Sequence, residues 1–267
     1  MLLAHVSDPH FGREYPAVVD ALLADLDEVG PEAIALSGDL TQRARGSEFA
    51  AAREFVGALP APVVVVAGNH DVPLLDLRER FTAPYRRYRR EFAEELQPRL
   101  VDNRLIALGL NTARANTRKS GRLNQRQLAT LERTLASAPP AALRVLVTHH
   151  PFIPPPQRPE ASVVGRAPLA LEAIERAGVD LLLSGHRHVR HAHVLPVGPA
   201  LAAASVLVVL AGTACSRRHR GEPNSYNVVE GDRGRLEVTV REWDGRRFRP
   251  ARPRRYERRG RTWVERT

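Results

Sequence analysis

Five times along this 267-residue chain a short, β-prone apolar run stops abruptly at residues that carry ligand chemistry. Residues 2–7 run into Asp8-Pro9-His10, and residues 33–37 into Gly38-Asp39. Residues 63–67 run into Gly68-Asn69-His70-Asp71, 143–148 into His149-His150-Pro151, and 181–184 into Gly185-His186-Arg187-His188. Continuous apolar runs of this length suit strands buried on both faces. A sixth run, residues 104–110, ends at Asn111. Amphipathic stretches lie between the runs and predict helices over 16–29, 47–59, 125–138 (capped by Asn124) and 168–177, the last stopped by Gly178. Strand–helix alternation implies an α/β fold with many parallel neighbours, and in such sheets sites form beyond the carboxyl ends of the strands. All five polar clusters sit at such ends.

The donors in these clusters are of one kind. Asp8 and Asp39 offer hard carboxylate oxygen, Asn69 a carbonyl oxygen, and His10, His149, His186 and His188 imidazole nitrogen. This mixed N/O set suits Mn²⁺, Fe²⁺/Fe³⁺ or Zn²⁺. A thiolate-based structural zinc site is excluded, because Cys215 is the single cysteine. Seven donors are too many for one divalent ion and about right for two, with a carboxylate shared between them. Two ions about 3.5–4 Å apart hold both the attacking and the leaving oxygen of a phosphoryl displacement and acidify a water between them. No nucleophilic side chain is then needed.

Asp8-x-His10, Gly38-Asp39, Gly68-Asn69-His70-Asp71, His149-His150-Pro and Gly185-His186-x-His188 resemble the five ordered motifs of the calcineurin-like metallophosphoesterases. The likeness is strongest to the class III cyclic nucleotide phosphodiesterase branch and spans about residues 3–190. It implies an α/β/β/α sandwich of two mixed sheets flanked by helices. It also implies a division of ligands: one metal on Asp8, His10, bridging Asp39 and His188, the other on Asp39, Asn69, His149 and His186. His70 would face the phosphate and protonate the leaving oxygen, and Asp71 would orient His70. Asn69, His70 and His150 would contact substrate, although His150 could instead sit behind the ligands. Residues 1–248 are expected to be the catalytic domain, and 249–267 a basic Arg/Pro-rich tail, poorly ordered.

The reaction so implied is hydrolysis of a small phosphodiester, a cyclic nucleotide being one candidate, by a metal-bridging hydroxide. Substrate choice would rest on residues 13–15, 72–92, 112–122, the long loop 151–166 and the tail. Net charge is +10, and residues 241–267 hold 11 Arg against four acids. That tail could attract nucleic acid or a lipid-linked nucleotide diphosphate, which keeps a nuclease or such a hydrolase as the alternative, with a phosphomonoesterase or a non-catalytic scaffold behind it. The longest apolar run, residues 199–211, is too short for a membrane span of roughly 20 residues, and the N-terminus has no basic leader, so a cytoplasmic location is expected. Nothing fixes the oligomeric state, and a homodimer is compatible with the sequence. His5 reads as a packed core histidine, His191 and His193 as strand residues, Asn111 as a turn former or a phosphate contact, and residues 78–90 as a helix with a charged outer and an aromatic inner face. Cys215 is assigned no catalysis.

Overall fold

The computed structural model describes residues 1–92, 94–154, 159–197 and 204–266. Residues 155–158 of the long loop and 198–203, which include the start of the apolar run, lie outside them. The apolar runs are strands β1 (Leu2–Val6), β2 (Ala33–Leu36), β3 (Val63–Val65), β5 (Leu105–Leu110), β6 (Leu143–Thr148) and β7 (Leu181–Ser184), with a short β4 (Arg99–Val101) at an edge. Helices α1 (Pro16–Val29), α2 (Gly46–Gly57), α5 (Gln125–Ala136) and α6 (Ala167–Ala177) occupy the amphipathic stretches. Gly178 ends α6 in a left-handed turn, and the Asn124 side chain accepts from the Gln127 N–H to start α5, as their chemistry dictates.

The later strands are β8 (His191–Val197), β9 (Ala204–Leu210), β10 (Ser225–Gly231), β11 (Arg235–Trp243), β12 (Phe248–Pro250), β13 (Arg254–Arg259) and β14 (Thr262–Arg266). One sheet runs β14-β13-β11-β10-β1-β2-β3, with β12 on β11, and the other β4-β5-β6-β7-β9-β8. Strands β1-β2-β3 and β5-β6-β7-β9 are parallel, while the chain's second half adds antiparallel neighbours. The sheets pack face to face through Leu3, Ala35 and Val64 of one against Ala107, Val145, Leu183 and Leu207 of the other. Helices α1 and α2 cover the outer face of the first sheet, α5 and α6 that of the second. This is the four-layered α/β/β/α sandwich.

Two expectations are corrected. The stretch from Arg249 is not a loose tail: β13 and β14 continue the first sheet, and Tyr256 and Trp263 are buried between the sheets. Part of its charge reads as surplus in the sequence because some of the pairing acids lie elsewhere in the chain. In the fold Arg255 pairs with Glu237, Arg258 with Asp180, and Arg254 with Glu265. Residues 78–90 do not form one helix with an inner aromatic face. They form α3 (Leu77–Thr82) and α4 (Arg86–Glu91), broken at Ala83-Pro84, because the residue before a proline is driven out of helical backbone. Tyr88 is buried, but Phe81 is 64% exposed.

Candidate metal centre

Asp8, Asp39, Asn69, His149 and His186 follow β1, β2, β3, β6 and β7, so the sandwich gathers all five clusters at one end. The loops after β1 and β2 lock together through Asp8 N–H to Gly38 C=O (3.1 Å), His10 N–H to Asp39 C=O (3.0 Å) and Phe11 N–H to Leu40 C=O (2.8 Å). Asp8, His10, Asp39, His186 and His188 all adopt positive φ, between 47° and 69°, a region that non-glycine residues avoid. Such strain persists only where surrounding structure imposes it, and it concentrates at functional sites. The glycines of the motifs make room: a Cβ on Gly68 would collide with Asp39, and one on Gly185 with Ser7 Oγ and the Asp8 carboxylate.

Three histidines share one arrangement. The Nδ1 of His10 lies 3.3 Å from the Thr41 carbonyl, that of His149 2.8 Å from the Ser37 carbonyl, and that of His188 2.5 Å from the Thr213 hydroxyl. A carbonyl can only accept, so Nδ1 carries the proton in His10 and His149 and Nε2 presents its lone pair. The imidazole is thereby fixed in the tautomer a cation requires. Around Asp8 Oδ1, the Nε2 atoms of His10 and His188 each stand 3.6 Å away. Around Asp39 Oδ2 stand His149 Nε2 at 3.3 Å and His10 Nε2 at 3.7 Å, and His186 Nδ1 is 3.2 Å from His149 Nε2. Asp39 Oδ2 thus borders both groups of donors. The other carboxylate oxygens are already used: Asp8 Oδ2 accepts from Ser7 Oγ and the His186 N–H, and Asp39 Oδ1 from the His70 N–H.

The donors fit divalent cations. Asp8 Oδ1, His10 Nε2 and Asn69 Oδ1 are buried with no hydrogen-bond partner, which costs free energy unless a further group binds them. Burial opposes the charge on Asp8 and Asp39, yet the surrounding histidines hold both carboxyls well below their ordinary range. Burial opposes a second proton on His149, but Asp39 and Asp8 favour it and raise the ring to about 9; that proton sits on Nε2, the atom whose lone pair a cation would take in its place. Two buried carboxylates therefore draw positive charge to this spot, and divalent cations would supply it.

His70 stands at the edge of this cluster. Its Nδ1 is 2.7 Å from the Gln42 carbonyl, and its Nε2 accepts from the Arg218 guanidinium at 2.8 Å. Gln42 therefore sets the orientation expected of Asp71. The Asp71 carboxylate instead accepts from the backbone N–H groups of Leu40, Thr41 and Gly68 and from the Thr41 hydroxyl, clamping the loops after β2 and β3 together. Burial and the nearby Asp39 push its carboxyl up to about 6. His150 is buried with Nδ1 on the Thr112 hydroxyl (2.7 Å) and Nε2 on the Lys119 carbonyl (3.0 Å), so both ring nitrogens are engaged by protein, in keeping with a place behind the ligands. Asn111 makes a turn bond to the Ala113 N–H, His5 is packed against Ser37, and Cys215 is buried.

A cavity of about 230 Å³ opens over Asp39, Asn69, His70, His186 and His188. Its outer wall carries Lys119, Arg187, Arg218 and Arg220. Arg218 and Arg220 were not foreseen, since the stretch after Cys215 carries no motif; Thr213 and Gln42 escaped notice because their roles arise only from contact.

The sequence pattern of the family described as "Calcineurin-like phosphoesterase" matches residues 1–190, and the chain belongs to that family. It is 35% identical over 82 residues (27% of this chain, 30% of the relative) to glycerophosphodiester phosphodiesterase GpdQ of Enterobacter lignolyticus. It is 30% identical over 169 residues (63% of this chain, 62% of the relative) to a probable cyclic nucleotide phosphodiesterase of Synechococcus sp.. The matches thus span less than two thirds of either relative. Among solved structures, purple acid phosphatase PPD1 from yellow lupin superposes with a TM-score of 0.63 at 12% identity, over 94% of this chain and 52% of that one. Vps29 of Chaetomium thermophilum gives 0.51 at 13% identity, over 97% and 100%. At such identities these two establish the fold alone.

Proposed function

We propose that this chain is a binuclear-metal phosphodiesterase. The observation that carries the reading is the position of Asp39 Oδ2, 3.7 Å from His10 Nε2 and 3.3 Å from His149 Nε2, a single carboxylate oxygen bordering two sets of donors. Asp8, His10, His188 and Asp39 would hold one cation, and Asp39, Asn69, His149 and His186 the other. When bound, the pair supplies Lewis acidity, which acidifies water and withdraws charge from the phosphate; manganese, iron and zinc all suit the donors. The preference for a diester is supported by the two relatives, a glycerophosphodiester phosphodiesterase and a probable cyclic nucleotide phosphodiesterase.

The reaction adds water across one P–O bond: a diester gives a monoester and an alcohol. His70 sits where a proton can be delivered. With Nδ1 fixed on the Gln42 carbonyl, Nε2 is the atom turned toward the cavity. Burial lowers the ring's affinity for a proton against the pull of Asp39, and the neighbouring Arg218 acts in the same direction as burial. An entering phosphate would draw the guanidinium to itself, so that Nε2 takes up a proton from solvent and passes it to the departing oxygen, which returns the ring to its starting form. Asn69, which lines the same cavity, would complete the cradle.

The test is metal-loaded protein assayed with an aryl phosphodiester and the matching monoester, with Asp39→Asn alongside. We expect two equivalents of manganese or zinc per chain, a diester preference, and both the second equivalent and the turnover lost in Asp39→Asn. One ion per chain, or turnover that survives chelation, refutes the binuclear reading; a monoester preference refutes the diesterase one. The pairing of Arg254, Arg255, Arg258 and Arg266 with acids takes charge away from the nucleic-acid reading.

A further inference from the structure

We propose that the rim of the cavity is a docking surface for an anionic lipid bilayer, whichever bond the centre breaks. Helix α3 is built inside out. A surface helix ordinarily turns its apolar residues inward and its charges outward. Here Glu79 and Arg80 are buried, whereas Leu77 is 61% exposed and shares its face with the exposed Phe81 four residues on. Leu75, 71% exposed, joins them, because the Leu77 N–H bonds the Leu75 carbonyl at 3.1 Å and folds the two together. Leu74, also exposed, precedes it.

The buried charges hold this inversion in place. Arg80 donates to the Pro73 carbonyl at 2.7 Å and to the Thr117 carbonyl, and Glu79 pairs with Arg86 at 3.0 Å and with Arg87. The Tyr85 and Tyr88 hydroxyls tie the following turn to the Ala113 and Val65 carbonyls at 2.6 and 2.8 Å. Polar groups thus fasten the segment from beneath, and its leucines and Phe81 are left facing water. Large apolar side chains gathered at one exposed place mark an interaction surface. The same contacts set the ridge at the cavity's mouth. Leu74 comes four residues after His70, and Thr117, held by Arg80, comes two before Lys119; His70 and Lys119 both line the cavity.

Charge identifies the occupant. Arg78 on α3, and Arg118 and Lys119 on the loop that Arg80 holds, are exposed, and none of them is ion-paired among the described residues. The remaining residues, 93, 155–158, 198–203 and 267, include no Asp or Glu. The acid next to the exposed leucines, Asp76, is engaged by the Glu79 N–H at 2.8 Å and by Arg87 at 3.7 Å. Leucines and a phenylalanine flanked by cations complement acidic headgroups over hydrocarbon: the apolar side chains enter the acyl boundary and the cations stay with the phosphates. A second copy seated here about a twofold axis would set these cations against their own counterparts.

Cosedimentation with vesicles tests this, the probes being phosphatidylcholine alone and phosphatidylcholine mixed with an equal part of phosphatidylglycerol. Wild type should partition onto the acidic vesicles about 10-fold or more better than onto the neutral ones, the pull of Arg78, Arg118 and Lys119 near an anionic surface. Since the whole chain carries +10, the deciding comparison is between variants. Leu75→Ser/Leu77→Ser/Phe81→Ser should lose about 10-fold or more of the partitioning, whereas Val101→Ser/Leu169→Ser, exposed apolar residues on β4 and α6, should keep it. Phe81→Trp adds a reading that needs no loss of binding: its extra emission should shift to the blue on acidic vesicles. No preference for acidic vesicles, equal losses in the two multiple variants, or an unmoved emission in the Phe81→Trp protein overturns the proposal. So does a dimer that ignores vesicles and dissociates in the triple variant, which would give the ridge to a second copy. Turnover enters none of these readings, so their failure leaves the phosphodiesterase reading where it stands.

Discussion

Replacing Trp263 with Ala tests whether the C-terminal strands are part of the fold or an appendage. The indole is 2% exposed and packs between the two sheets with Tyr256, Leu181 and Leu207. Its N–H donates to the Asp180 carbonyl at 3.0 Å, and the Arg258 guanidinium lies 5.5 Å from its ring. Removing a buried Trp side chain costs about 3–5 kcal/mol through lost transfer energy and the cavity left behind. The indole N–H bond is lost as well, about 1 kcal/mol, while the Asp180 carbonyl keeps its bond from the Leu207 N–H. The sum, about 4–6 kcal/mol, is a large share of the ~5–15 kcal/mol that stabilises a typical domain. At roughly 2–4 °C per kcal/mol the Tm should fall by about 10–20 °C. Urea denaturation followed by far-ultraviolet circular dichroism measures it, with Trp243, the other tryptophan, as an independent fluorescent reporter. A loss below about 1 kcal/mol would show that Trp263 is not buried as described and that β13 and β14 are dispensable.

Two further outcomes follow from the site and the core. His70→Ala should lower kcat on a diester by about 10²–10⁴-fold while leaving metal content, read by elemental analysis, unchanged, since its nitrogens face Gln42 and Arg218 and not the donor cluster; loss of metal would move His70 among the ligands. His5, fully buried with Nε2 on the Ser37 hydroxyl, is held by burial down to about 3, partly offset by Asp8. Its unfolded value is near 6.5, so below that pH the unfolded chain binds a proton that the folded protein refuses, and stability falls as pH drops from about 6.5 toward 3. In chelated protein between pH 5.5 and 4, His5→Gln should lose stability less steeply than wild type by about 1.4 kcal/mol per pH unit, and parallel slopes would count against a neutral buried His5.

Much of the centre was legible because its grammar is local. A both-face-buried strand must be apolar throughout, so the point where Val6, Leu36 or Leu183 gives way to an aspartate or histidine marks a strand end, where α/β sheets build sites. The roles of Asp71 and His150 were not legible. Both are flanked by ligand-type residues, yet what each side chain touches is supplied by partners 30 to 38 residues away, Thr41 for Asp71 and Thr112 for His150. Arg218 lies 148 residues from His70, in a stretch with no periodicity or motif to single it out.

The sequence by itself determined the alternation of strands and helices, the inventory of N/O donors and the exclusion of thiolate chemistry, all properties of residues and their near neighbours. Only the tertiary structure decided that one Asp39 oxygen borders both donor groups, that Gln42 and not Asp71 holds His70, that several of the terminal arginines pair with acids from distant strands, and which cations surround the cavity. The physical reason is range: apolar periodicity acts over a few residues, whereas hydrogen bonds and charge pairs act over a few ångströms between segments that only the closed sandwich brings together.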